Sequence, residues 1–83
     1  MNAGELLEYF KDLPRDKLTY FVRAGYLTPK KVKRGTLNYN EFSERDLLIL
    51  QRAWSYIVTY GTKASIAFEK AADEVDSSQM RLF

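Results

Sequence analysis

The chain reads as a mainly α-helical fold of about four helices with one small β-hairpin between the second and the third. Three observations predict this. Apolar residues recur at helical spacing in four stretches, and the spacing changes to alternation between Lys30 and Phe42. Pro14, Gly25 and Gly61 fall where the helical pattern stops. With 83 residues, 46% of them hydrophobic and 14% aromatic, the chain has the means to build one compact core. It must do so without disulfides, because it contains no cysteine.

The first helix is expected over about residues 3 to 11, burying Leu6, Leu7 and Phe10. Asp12-Leu13-Pro14 interrupts it, since proline disfavours helix in the residue before it and suits the first turn of the next helix. The second helix follows over about 14 to 24. Leu18, Phe21 and Val22 stand at i, i+3 and i+4 and face inward, which turns Asp16, Thr19, Tyr20 and Arg23 outward. Gly25 sits where a left-handed residue ends a helix. Tyr26-Leu27 then returns the chain to the core, and Pro29 keeps a new helix from starting.

From about 30 to 42 the sequence reads as a hairpin with a basic outgoing strand. Val32 precedes an Arg34-Gly35-Thr36 turn, and Leu37 and Tyr39 alternate after it. Ser43-Glu44-Arg45-Asp46 is a capping-box variant that opens a third helix over about 44 to 60. Its main stripe is Leu47, Leu50, Trp54, Ile57 and Val58 beside Ala53, with Ile49, Tyr56 and Tyr60 on a second side. Gly61 stops this helix and Thr62 caps a fourth, running to about Val75 with Ala64, Ala67, Phe68, Ala71 and Val75 inward. One domain over residues 1–76 and a fraying tail over 77–83 complete the reading, although Leu82 and Phe83 offer a docking pair. A helix-turn-helix followed by a wing is the simplest architecture with this order.

Net charge is only +2, yet it is unevenly spread. Residues 14 to 40 hold Arg15, Lys17, Arg23, Lys30, Lys31, Lys33 and Arg34 against the single acid Asp16. The exposed side of the second helix (Lys17, Thr19, Tyr20 and Arg23) carries groups that donate to phosphates and base edges. A solvated amphipathic helix would present a similar face. The hairpin lysines also protect a sheet edge from aggregation. Taken together, helix and hairpin offer the electrostatic footprint of a DNA binder.

Other chemistries find little support. No histidine is present, which removes the commonest general base and, with cysteine absent, the two commonest zinc ligands. No GxxxxGK loop, GxSxG elbow or HExxH helix occurs. Glu5, Glu8 and Asp12, like Glu69, Asp73 and Asp76, recur at helical spacing and read as solvated faces. The expectation is therefore no catalytic residue, no metal and no cofactor. The start, MNAGELLEYF, is acidic and interrupted by charge, unlike a targeting segment, and LLIL is the longest aliphatic run, too short to cross a bilayer. A soluble protein of the reducing cytosol fits these features.

The segment K-L-T-Y-F-V-R-A-G-Y-L-T-P, 17 to 29, resembles the recognition segment T-L-R-Y-Y-E-x-x-G-L-L-x-P of MerR-type transcriptional regulators. Leu18, Tyr20, Gly25, Leu27 and Pro29 fall in register. Tyr39-Asn40-Glu41-Phe42 is similar to the end of that family's wing, G-Y-R-x-Y. Ser43 to Leu47 match its S-x-x-D-L without a gap, and Tyr60-Gly61-Thr62 resembles its last interhelical glycine. The resemblance implies a winged helix-turn-helix that binds double-stranded DNA in transcriptional regulation, in a bacterial cytoplasm and close to the nucleoid.

In that family the arginine and tyrosine of the recognition helix and the arginine of the wing touch DNA. Here the tyrosine is Tyr20, whereas Thr19 and Asn40 stand at the arginine positions, and the wing is longer with extra cations. The expected contacts are Arg15, Lys17, Thr19, Tyr20 and Arg23 at the major groove. Lys30, Lys31, Lys33, Arg34, Tyr39 and Asn40 are expected on the adjacent backbone or minor groove. Lys63, with Thr62 at the amide end of the fourth helix, would clamp a phosphate. A homodimer through helices 3 and 4, or through a segment beyond this chain, would fit the family. The alternative reading is a protein–protein interaction adaptor built on the same scaffold.

Overall fold

The structure, a computed structural model, describes residues 1–80, with side chains described to Ser77. It contains α1 (Ala3–Leu7), α2 (Arg15–Arg23), β1 (Lys30–Arg34), β2 (Leu37–Glu41), α3 (Glu44–Tyr60) and α4 (Ala64–Met80). The protein is thus mainly helical with one antiparallel two-stranded hairpin, an order compatible with a winged-helix-type fold. The chain divides into two compact units, residues 1–46 and 47–83.

In the first unit, Asn2 caps α1. Its Oδ1 accepts from the Glu5 amide at 2.8 Å, and Glu5 Oε1 accepts from the Asn2 amide at 2.9 Å. The helix ends at Leu7, earlier than periodicity suggests. The amides of Glu8, Tyr9 and Phe10 then bond to the carbonyls three residues back, at 3.1–3.2 Å, tightening the chain on its way to Pro14. In consequence Leu6 is fully buried, whereas Leu7 and Phe10 are only half-buried.

Pro14 is the N-cap of α2 rather than its first residue. Asp16 in the first turn and Arg23 in the last match the helix dipole at both ends. Leu18 and Phe21 are buried and Val22 is half-buried, as the stripe requires. The end of α2 is a full Schellman motif. The Tyr26 amide donates to the Phe21 carbonyl at 3.0 Å and the Gly25 amide to Val22 at 3.1 Å, with Gly25 at φ 82°. The accompanying apolar contact is Tyr26 against Phe21, ring centroids 6.4 Å apart.

Gly35 and Thr36 alone form the hairpin loop, and Arg34 belongs to β1. Gly35 has φ 60° and Thr36 a negative φ, the pattern of a type II′ turn whose twist suits the strands. A two-residue loop fixes the register: Arg34 opposite Leu37, Lys33 opposite Asn38, Val32 opposite Tyr39, and Lys31 opposite Asn40. Such a hairpin is marginal alone. Its base is tied down by Met1, whose nitrogen donates to the Phe42 carbonyl at 3.0 Å while its carbonyl accepts from the Phe42 amide at 2.7 Å. Phe42 itself is buried, as are Leu13 and Leu27.

Ser43 caps α3 as its sequence predicts. Its Oγ accepts from the Asp46 amide at 3.1 Å, and Asp46 Oδ2 accepts from the Ser43 amide at 2.9 Å and from its hydroxyl at 3.1 Å. Asp46 is only 4% exposed, so these bonds carry a carboxylate that would otherwise be costly to bury.

In the second unit, Leu47, Ile49, Leu50 and Ala53 of α3 and Ala67, Phe68, Ala71 and Val75 of α4 are buried. Two expectations are corrected here. Val58, placed in the main stripe, is 60% exposed, because the last turn of α3 leaves that side uncovered. Ile49, expected on the second side of α3, is 3% exposed, so this part of the second side is covered as well. The fourth helix continues past Val75 to Met80, since no proline or glycine stands in its way. Leu82 and Phe83 lie outside the described residues.

Candidate nucleic-acid interface

Within the first unit, α2 and the hairpin share a surface. Arg15, Thr19 and Arg23, spaced i, i+4 and i+8 along one side of α2, line a depression of about 230 Å³ together with Lys31 and Asn40. Leu18, Val22, Phe42 and Ala3 supply its apolar part. The helix periodicity gathers the first three, and the hairpin register gathers the last two, because paired cross-strand residues point to the same side.

Arg15, Arg23 and Lys31 are exposed, and among the described residues none of them is paired with a carboxylate. Cations gathered on one concavity without counter-charges repel one another, so an anion placed there would lower the electrostatic energy. Thr19 plays a narrower role than its residue type suggests. Its hydroxyl donates to the Arg15 carbonyl at 3.1 Å, leaving only lone pairs and a methyl for an outside partner.

The remaining expected residues do not line the depression. Lys17 and Tyr20 are exposed on α2. The Tyr20 ring packs at 5.9 Å from Phe21 and 6.3 Å from Tyr26, which stiffens an otherwise half-exposed phenol. Alternation puts Lys33 on the same side of the ribbon as Lys31, and Lys30, Arg34 and Tyr39 on the other. The Arg34 guanidinium lies 5.9 Å from the centre of the Tyr39 ring, a cation–π contact that holds both side chains. Lys63 is exposed and belongs to the second unit, just ahead of α4.

The second unit handles its charges differently. Arg52 Nη1 and Glu74 Oε2 form an ion pair at 3.0 Å, the Tyr56 hydroxyl donates to Glu74 Oε1, and the Lys70 ammonium lies 5.4 Å from the Tyr56 ring centre. The Tyr56 hydrogen bond, helped by Arg52, holds the Glu74 carboxyl below the usual glutamate range. The same bond, with partial burial and the carboxylate charge, pushes the Tyr56 phenol up.

Sequence reasoning missed two features of this region. The Asn2–Glu5 capping box was available as N-x-x-E ahead of Leu6. The Lys31–Asn40 pairing follows from Gly35-Thr36 once these two are taken as the whole loop. Among the described residues no group of three or more His, Cys, Asp or Glu could hold a metal ion, and no helix is long and apolar enough to cross a membrane.

No protein-family model, curated protein or solved structure matches the chain.

Proposed function

We propose that the protein binds double-stranded DNA in a sequence-specific manner as part of transcriptional control. Helix α2 enters the major groove, and the hairpin lies along the adjacent backbone. The observation that carries this reading is the shared depression, where Arg15 and Arg23 of the helix and Lys31 of the hairpin surround one concavity. Phosphates bind such a grouping through charge, and Arg23 and Asn40 add donors suited to base edges. Lys17, Tyr20, Lys33 and Arg34 extend the contact on either side. The likeness of residues 17–29 and 43–47 to MerR-type regulators supports the same assignment.

Selection from a random duplex pool, followed by fluorescence anisotropy on the enriched sequence, tests the reading. Enrichment of one motif is expected, with Arg23→Ala weakening its binding by about 1–3 kcal/mol. A pool that emerges unenriched would remove sequence specificity, and no duplex binding at low salt would remove the reading entirely.

One observation favours a second reading, a dimerisation or adaptor surface on the second unit. Val58 and Tyr60 at the end of α3 and Ile66 near the start of α4 are exposed apolar side chains. Sedimentation velocity with and without DNA separates the two. Self-association that is indifferent to DNA would favour the adaptor.

A further inference from the structure

We propose that Leu37, at the hairpin tip, is an apolar wedge that enters between stacked base pairs of duplex DNA from the minor-groove side. The inference rests on the duplex-DNA reading and specifies how the hairpin tip engages the duplex. Leu37 is 71% exposed, in a unit that buries Leu6, Leu13, Leu18 and Leu27. Its cross-strand partner is Arg34. An arginine in that position can cover a leucine with its aliphatic stem. Here the guanidinium is instead drawn along the sheet to the Tyr39 ring, and the leucine stays bare.

The residues ahead of it sharpen the point. Gly35 and Thr36 are small, so no bulky side chain stands beyond Leu37 at the tip. Lys33 and Arg34 sit immediately behind the turn on opposite sides of the ribbon, and both are exposed. The tip therefore presents one branched apolar group flanked by two cations. Minor-groove binders that bend DNA combine these same elements. Cations hold the backbone, and a leucine, isoleucine, methionine, phenylalanine or proline partly unstacks one step, at a cost of a few kcal/mol offset by wider contact. A lone leucine between cations is too small a patch for a protein partner, whose contacts cluster apolar groups around a buried centre. Charge complementarity points to the polyanion.

The test compares anisotropy on a fully paired duplex with the same duplex carrying one central mismatch, where opening a step costs less. The wild-type protein should favour the mismatched duplex several-fold. Leu37→Ala should abolish that preference while leaving the salt dependence of binding unchanged, and Leu37→Met should restore it. Equal preference in wild type and Leu37→Ala would overturn the wedge and leave the DNA reading standing. No binding to either duplex would overturn both. Leu37-dependent binding to phosphatidylserine vesicles, with no mismatch preference, would assign the side chain to a membrane surface and likewise overturn the wedge.

Discussion

The two units use charge in opposite ways. In the second, Arg52, Glu74, Tyr56 and Lys70 satisfy one another through an ion pair, a hydrogen bond and a cation–π contact. In the first, Arg15, Arg23 and Lys31 are gathered around one depression with no carboxylate partner among the described residues. Surface pairs of the Arg52–Glu74 kind contribute little to stability, because solvent already screens both charges. Their consequence here is that this cluster has little charge left for an outside partner. Arg15, Arg23 and Lys31 remain available. Similar residue types at similar exposure are thus paired in one place and left unpaired in the other, and the difference lies in whether an acid stands within reach.

The comparison is tested most severely where the first unit is held together. Leu6→Ala removes a fully buried side chain beneath α1 and should destabilise the protein by about 2–5 kcal/mol in denaturant titration. A loss well under that range would mean that α1 does not anchor the unit that carries the depression. Gly25→Ala should cost less, about 1–2 kcal/mol, since the backbone there is left-handed while nothing crowds an added methyl. Thermal unfolding reads this directly. An unchanged midpoint would show that α2 can end without its Schellman turn.

The smallest expected effect belongs to the second unit and depends on pH. Glu74 is held below its ordinary value, so the stability it contributes is complete above the usual glutamate pKa of about 4.3 and is lost as pH falls through the lowered folded value. Tyr56 is raised, so its contribution is present below the ordinary tyrosine value of about 10 and disappears only in stronger alkali. Tyr56→Phe should therefore lower the melting temperature slightly at neutral pH, with the gap to wild type closing as pH drops below the glutamate range. A gap that stays constant to pH 3 or so would exclude the hydrogen bond as the link between these groups. DNA binding should be untouched by this change.

Much of the architecture was legible from punctuation. Gly25, Gly61 and Ser43–Asp46 each specify a helix terminus through local backbone chemistry, and each does so in the structure. Local signals work because their partners lie within a few residues. Features set by distant neighbours were harder to read. Periodicity marks Val58 as part of the main stripe of α3, but it cannot say how far along the helix a neighbouring element covers that side, and Val58 in the last turn is exposed while Ile49 on the second side is buried. The end of α1 was missed for a related reason. Leu7 and Phe10 continue the helical spacing, yet the approach to Pro14 tightens the backbone before the pattern runs out.

The cationic surface was legible in composition, and the polar residues that line the depression, Arg15, Thr19, Arg23, Lys31 and Asn40, were all among the expected contacts, but their grouping was not. Charge density does not separate Lys31 from Lys33 and Arg34, which stand together in β1 just ahead of the turn. The depression instead joins Lys31, deeper in the strand, with Arg15 at the other end of α2. That grouping depends on hairpin register and on helical phase together, and neither alone identifies it.

The central claim is that α2 and the hairpin grip one duplex as a single phosphate-binding surface, and the salt dependence of binding measures it most directly. Roughly five to seven phosphate contacts predict a slope of log affinity against log salt of about −4 to −6 for the wild-type protein. The Arg23→Ala, Lys31→Ala double variant should be shallower by about 2. A wild-type slope near zero, or a double variant whose slope does not change, would contradict the account.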